Sequence, residues 1–165
     1  TDFNLHSLYN LFQPLEYLFL MLYLRSVLLS TRLKNAILVS IPLMFSMLLI
    51  LYIVSQKYDL SKLYDFLLTT SAISICSIFY FNQLLTKQVE LDVSTNPNFF
   101  IVGGILMFHS CSFLVMGLVN YIYKQDPILA KQVYSINHIL NIIYYSLIAY
   151  GFYIQWKSTK SSLSS

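Results

Sequence analysis

Five long apolar runs, at 8–29, 36–54, 63–85, 99–123 and 128–156, divide the sequence, with short polar connections between them. None shows the sustained apolar–polar alternation of a half-buried strand, and all are far longer than the strands of a membrane barrel, so each is predicted to be helical. A helix needs about 20 mostly apolar residues to cross a hydrocarbon core about 30 Å thick, and every run meets that length. The pattern predicts an all-α fold: a polytopic transmembrane helical bundle with five spans within 1–156, followed by a Ser-rich tail at 157–165 expected to be disordered and cytoplasmic. Asn96-Pro97 and Pro127 read as helix starts, because proline suits the first helical position, where its missing N–H costs nothing. No repeat and no second domain is visible.

Composition strengthens the membrane reading. Apolar residues make up 57% of the 165 positions and charged residues only 10%. A soluble domain carries about 25% charged residues, so this chain has too few to coat a water-facing globule. The 14 Tyr and 12 Phe suit aromatic belts and aromatic packing between helices. The net charge of +3 lies in short loops and speaks against nucleic acid as a partner. Cys76 and Cys111 fall inside apolar runs and read as small hydrophobes. The sequence starts at Thr1 and reads as a piece of a longer protein. Its ten basic residues divide six (Arg25, Arg32, Lys34, Lys87, Lys157, Lys160) against four (Lys57, Lys62, Lys124, Lys131). The excess places the C-terminus in the cytoplasm and Thr1 outside.

The informative positions are the polar ones within the runs, because a polar group in hydrocarbon needs a partner. Glu16 is the one acid deep within a run, since Asp65 stands only three residues into its own, with Gln13 a turn before Glu16 and Tyr17 beside it. It reads as a proton relay or ligand contact, or alternatively as an interhelical hydrogen bond. In the fifth run Tyr134, His138, Asn141 and Tyr145 follow helical spacing, with Asn137 and Tyr144 alongside. That stripe is expected to face the interior. At helical rise, Glu16 and His138 share a depth about 10–15 Å from the outer boundary, which predicts a contact between them. His109, in the middle of the fourth run, reads either as a metal or haem ligand together with His138 or as a core histidine bonded to a hydroxyl or carbonyl. Two lone histidines are too little for a zinc or haem site, so neither metal nor cofactor is expected. Gly103, Ser110 and Gly117 recur every seven residues and read as a small-residue stripe for close helix packing. HExxH, CxxC pairs, GxSxG and P-loop patterns are absent from the sequence, so no catalytic residue is assigned and an enzyme is disfavoured.

Three stretches carry a resemblance. They are Leu5-His6-Ser7-Leu8-Tyr9 leading to Leu15-Glu16, Asn96-Pro97-Asn98-Phe99-Phe100 followed by Gly104-Ile105-Leu106, and Asn137-His138-Ile139-Leu140-Asn141 with Tyr144. The chain resembles a family of uncharacterised bacterial multi-spanning inner-membrane proteins of about seven helices, here without the first two. The family often has Trp where this chain has Phe99-Phe100, and Phe108-His109-Ser110-Cys111 departs from its aromatic–small pattern, so His109 has no family-wide role. The resemblance implies the bacterial inner membrane, draws attention to Glu16, Asn137 and Asn141, and points towards signalling beside sensor proteins.

These readings converge on an integral membrane protein whose leading function is a non-enzymatic sensory or signalling module. Its polar-lined pocket would be built from Gln13, Glu16, Tyr17, His109, Asn137, His138, Asn141 and Tyr145. The alternatives are an accessory or structural membrane subunit, and a proton-coupled transporter or membrane enzyme using Glu16 and His138. The expected partners are the lipid bilayer and other membrane subunits or a sensor protein.

Overall fold

A computed structural model describes residues 5–58, 63–86 and 95–163, with side chains described over 12–54, 63–86 and 95–160. Asp59, Lys62, Lys87, Glu90 and Asp92 lie outside the described residues, and Lys57 lies in the second helix where side chains are not described, so three of the ten basic residues used for orientation are not placed. Within the described residues there are five helices and no strand: α1 (Leu5–Val27), α2 (Thr31–Tyr58), α3 (Leu63–Thr86), α4 (Pro97–Tyr123) and α5 (Pro127–Leu163).

Local chemistry explains where α4 and α5 begin. The Asn96 side chain accepts the Asn98 amide at 3.0 Å, with Pro97 at the first helical position. Asp126 accepts the amides of Ile128 and Leu129 at 2.9 and 3.0 Å, with Pro127 filling the same role. The end of α5 corrects the expectation of a disordered tail, since the helix continues through Leu163. The sequence beyond Gly151 contains no glycine or proline to break it, the Thr159 hydroxyl bonds the Gln155 carbonyl at 3.0 Å, and Lys160 lies over the Trp156 ring.

Cross-helix contacts give the directions of the helices. Gln13 meets Thr69 and Leu29 meets Gln83, so α1 and α3 run parallel. Ser110 meets Ser74 and Phe99 meets Phe81, so α3 and α4 are antiparallel. Ser112 meets Asn137 and Phe100 meets Tyr150, so α4 and α5 are antiparallel too. The core contains Tyr17, Met21, Leu24, Ile73, Val102, Ile105 and Phe108. α4 is the central helix, with 44% of its most apolar window buried, whereas α2 is peripheral, with 11%.

Three described helices are long and apolar enough to cross a membrane: α2 over Thr31–Val54, α3, and α4. The chain is therefore compatible with an integral membrane protein. The expectation of five such helices is corrected to three, for a compositional reason. α1 carries Gln13, Glu16 and Arg25, and α5 mixes Asn, His and Lys among its apolar residues.

The small-residue stripe also needs correction. A Cβ at Gly117 would meet nothing within 4 Å, and one at Gly103 would make only ordinary contact with the Phe81 ring. The close approach of α4 and α5 occurs at two other glycines. A Cβ on Gly151 would lie 2.5 Å from the Ile101 side chain and 2.9 Å from the Pro97 carbonyl, and one on Gly104 would lie 3.1 Å from Leu147. Ser110, the middle member of the stripe, does touch α3, through a 3.3 Å hydrogen bond to Ser74.

Candidate functional site

A cavity of about 220 Å³ lies between α1, α3, α4 and α5. Its walls come from the first half of α3 and α5, from the first half to the middle of α1, and from the middle and second half of α4, as the helix directions require. α1 supplies Phe12, Gln13, Glu16 and Tyr17; α3 supplies Phe66, Thr69, Thr70 and Ile73; α4 supplies Phe108, His109 and Met116; α5 supplies Tyr134, Asn137, Asn141 and Tyr145. Each set repeats at three or four residues, so one face of each helix is turned inwards.

Part of this polar wall is internally paired. Gln13 Nε2 donates to Thr69 Oγ1 at 3.1 Å, and that hydroxyl lies 3.0 Å from each of the Asp65 and Phe66 carbonyls. The Thr70 hydroxyl donates to the Phe66 carbonyl at 2.7 Å. Ser112, fully buried, donates to Asn137 Oδ1 at 2.7 Å, and Asn141 Nδ2 donates to the Asn137 carbonyl at 3.0 Å. The α4–α5 contact is thereby fixed next to the cavity.

Other polar groups of the wall lack a hydrogen-bond partner among the described residues. His109 is 3% exposed, and among the described residues neither of its ring nitrogens has a hydrogen-bond partner. Its ring is held by edge contacts with Phe108 at 5.2 Å and Tyr144 at 6.4 Å between centroids, and Phe108 itself stacks on Tyr144 at 4.8 Å. The expected core histidine bonded to a hydroxyl or carbonyl is therefore corrected: the packing around His109 is aromatic, and rings offer its nitrogens no conventional partner. An unpaired buried polar group costs about 1–3 kcal/mol. Among the described residues Glu16 makes no hydrogen bond or ion pair, and Gln13 Oε1, Asn137 Nδ2 and Asn141 Oδ1 are likewise uncommitted. No Lys or Arg lines the cavity.

The structure thus brings together Gln13, Glu16, Tyr17, His109, Asn137, Asn141 and Tyr145 around one cavity, and leaves out His138. His138 is exposed, with its ring edge against Tyr134 at 5.6 Å. The expected Glu16–His138 contact does not form; His109 is the histidine that shares the cavity with Glu16. The reason is a rotation of α5. Positions 134, 137, 141 and 145 satisfy helical spacing as well as 134, 138, 141 and 145, and the Ser112–Asn137 bond selects the first set. Sequence reasoning passed over Thr69, Thr70 and Ser112, whose hydroxyls are silent within apolar runs because many such groups bond their own helix. A partner search for Gln13 and Asn137 was the one available signal.

Among the described residues no group of three or more His, Cys, Asp or Glu is placed to hold a metal ion. The Cys76 and Cys111 thiols are free and half-buried. Compared with known proteins, the chain matches no protein-family model, no curated protein and no solved structure.

Proposed function

We propose that this chain is a multi-pass protein of the bacterial inner membrane, C-terminus in the cytoplasm, acting as a non-enzymatic sensory module that reads a small molecule in the cavity between α1, α3, α4 and α5. A membrane setting is supported by the outward faces of the two less apolar helices. α1 exposes Leu15, Phe19 and Leu22, and α5 exposes Ile139, Ile142 and Phe152, while Gln13, Glu16, Asn137 and Asn141 turn to the cavity. Apolar surface on every side is what lipid requires, and soluble monomers rarely carry contiguous apolar patches beyond a few hundred Å².

The observation that carries the sensory reading is His109, buried on the cavity wall with both nitrogens unpaired. In a bundle held together only by polar contacts these groups would be satisfied, as Ser112 and Asn137 are. Partners would be the lipid and a second membrane protein, such as a sensor, that responds to the bundle.

The test is thermal unfolding of the purified protein in detergent with three monocyclic probes of similar size: phenethylammonium, phenethyl alcohol and phenylacetate. At least one should raise the midpoint of the wild type, and none should raise that of Asn141→Phe, which fills the cavity. A wild type indifferent to all three contradicts the reading.

A further inference from the structure

The chemistry of the cavity wall selects among ligands, on the premise that the cavity is a ligand site. Six aromatic rings face it: Phe12, Tyr17, Phe66, Phe108, Tyr134 and Tyr145. Glu16 is its one carboxylate, no Lys or Arg balances it, and no described residue neutralises it. A charge held in such a wall is stable only when paired, and among the described residues no such partner for Glu16 is present. The uncommitted polar atoms include the acceptors Glu16 carboxylate, Gln13 Oε1 and Asn141 Oδ1, with His109 able to accept through one nitrogen when neutral, beside donors on Asn137 Nδ2 and the Tyr17 hydroxyl. An ammonium group is the complement of such a wall, because it carries only donors and a positive charge, and aromatic faces attract it.

We infer that the cavity binds a small organic ammonium, its cationic head beside Glu16 and His109 and its apolar body among the six rings. Size agrees: a cavity of about 150 Å³ admits benzene, so about 220 Å³ accommodates a monocyclic body with a short amine arm. A bare metal ion is a poorer fit, since no three ligating side chains converge among the described residues. The ammonium can come from a free amine or from an ethanolamine lipid headgroup, which present the same chemistry.

The experiment is a binding titration on the full chain in phosphatidylglycerol nanodiscs with the same three probes. Phenethylammonium should bind about tenfold or more tighter than phenethyl alcohol, since a charge-assisted hydrogen bond and cation–π contacts together supply at least that factor. Phenylacetate should bind weakest. Glu16→Gln should erase the preference. Tyr134→Leu keeps the carboxylate and should weaken the ammonium several-fold while changing the alcohol little, so the inference stays testable if Glu16→Gln does not fold. Repeating the titration with phosphatidylethanolamine in the disc separates the sources: competition supports the headgroup, and unchanged affinity supports the free amine. Alcohol or phenylacetate binding as tightly as the ammonium, or a preference that survives Glu16→Gln, overturns the inference and leaves the pocket standing. If none of the probes binds, the pocket itself is overturned.

Discussion

The two ends of this bundle solve the same problem in different ways. At the end where α1 and α3 finish and α4 starts, several polar groups find partners within the protein, although Arg25 Nε in the last turn of α1 is buried without one among the described residues. The Tyr23 hydroxyl donates to Asn98 Oδ1 at 3.0 Å, Gln83 Oε1 accepts the Leu29 amide at 2.9 Å, and Asn96 caps α4. Edge-to-face rings run from Tyr80 through Phe81, Phe99 and Phe100 to Tyr150, with centroids 4.8–5.5 Å apart, and tie α3, α4 and α5 together. Such pairs are each worth about 0.5–1.5 kcal/mol beyond the area they bury. At the other end Glu16 and His109 face a cavity without partners among the described residues. Space alone does not separate the ends, because a depression of about 190 Å³ lies beside Gln83 and Asn98 as well. What separates them is whether the polar groups around the space are paired. Unpaired buried groups mark a place where stability is given up, and such places are where binding sites are found.

The largest effect should come from the paired end. Gly151→Val places a side chain against Ile101 and the Pro97 carbonyl, and should lower unfolding free energy by about 3 kcal/mol, at the upper end of overpacking costs. Reversible unfolding in mixed detergent micelles measures it, and an unchanged midpoint would show that α4 and α5 are not held together there. Next comes the junction between the ends. Asn137→Leu leaves the buried Ser112 hydroxyl without its acceptor and should cost about 1–2 kcal/mol. Adding Ser112→Ala should restore much of that loss, because removing both partners of a buried bond is nearly neutral. A double variant as unstable as the single one would assign the loss to packing. A smaller effect is expected at Tyr23, where Tyr23→Phe deletes one bond to Asn98 and should cost about 0.6 kcal/mol, the average for interhelical bonds in membranes. Gly117→Ala sets the lower limit. With nothing within 4 Å of the new Cβ, helix propensity should make it neutral or stabilising by up to about 1 kcal/mol. Destabilisation there would mean that another chain packs on this face of α4.

Much of the architecture was readable from the sequence because it rests on local signals. Apolar run length located all five helices, and the Asn96-Pro97 and Pro127 starts follow from capping chemistry. The continuation of α5 through the Ser-rich end was missed because serine is a weak helix former yet not a helix breaker. The candidate site was readable in its residue types and not in its pairing. Glu16, Gln13 and Asn141 stand out as polar groups in apolar runs. Which of Asn137 and His138 faces inwards depends on a rotation of about 100° per residue, and that choice is made by Ser112 on another helix. The close packing at Gly104 and Gly151 in place of Gly103 and Gly117 has the same origin. A heptad spacing identifies a face, while the neighbouring helix decides which face is used.

The central claim is that His109 is held against the cavity without a hydrogen-bond partner among the described residues. The direct test is the unfolding midpoint of His109→Leu in detergent, without added ligand. Removing an unpaired buried imidazole in favour of an apolar side chain of similar size should leave the midpoint unchanged or raise it, by up to about 1 kcal/mol in stability. A midpoint several degrees lower would mean that the ring makes a stabilising contact within the protein, and would contradict this account of the cavity.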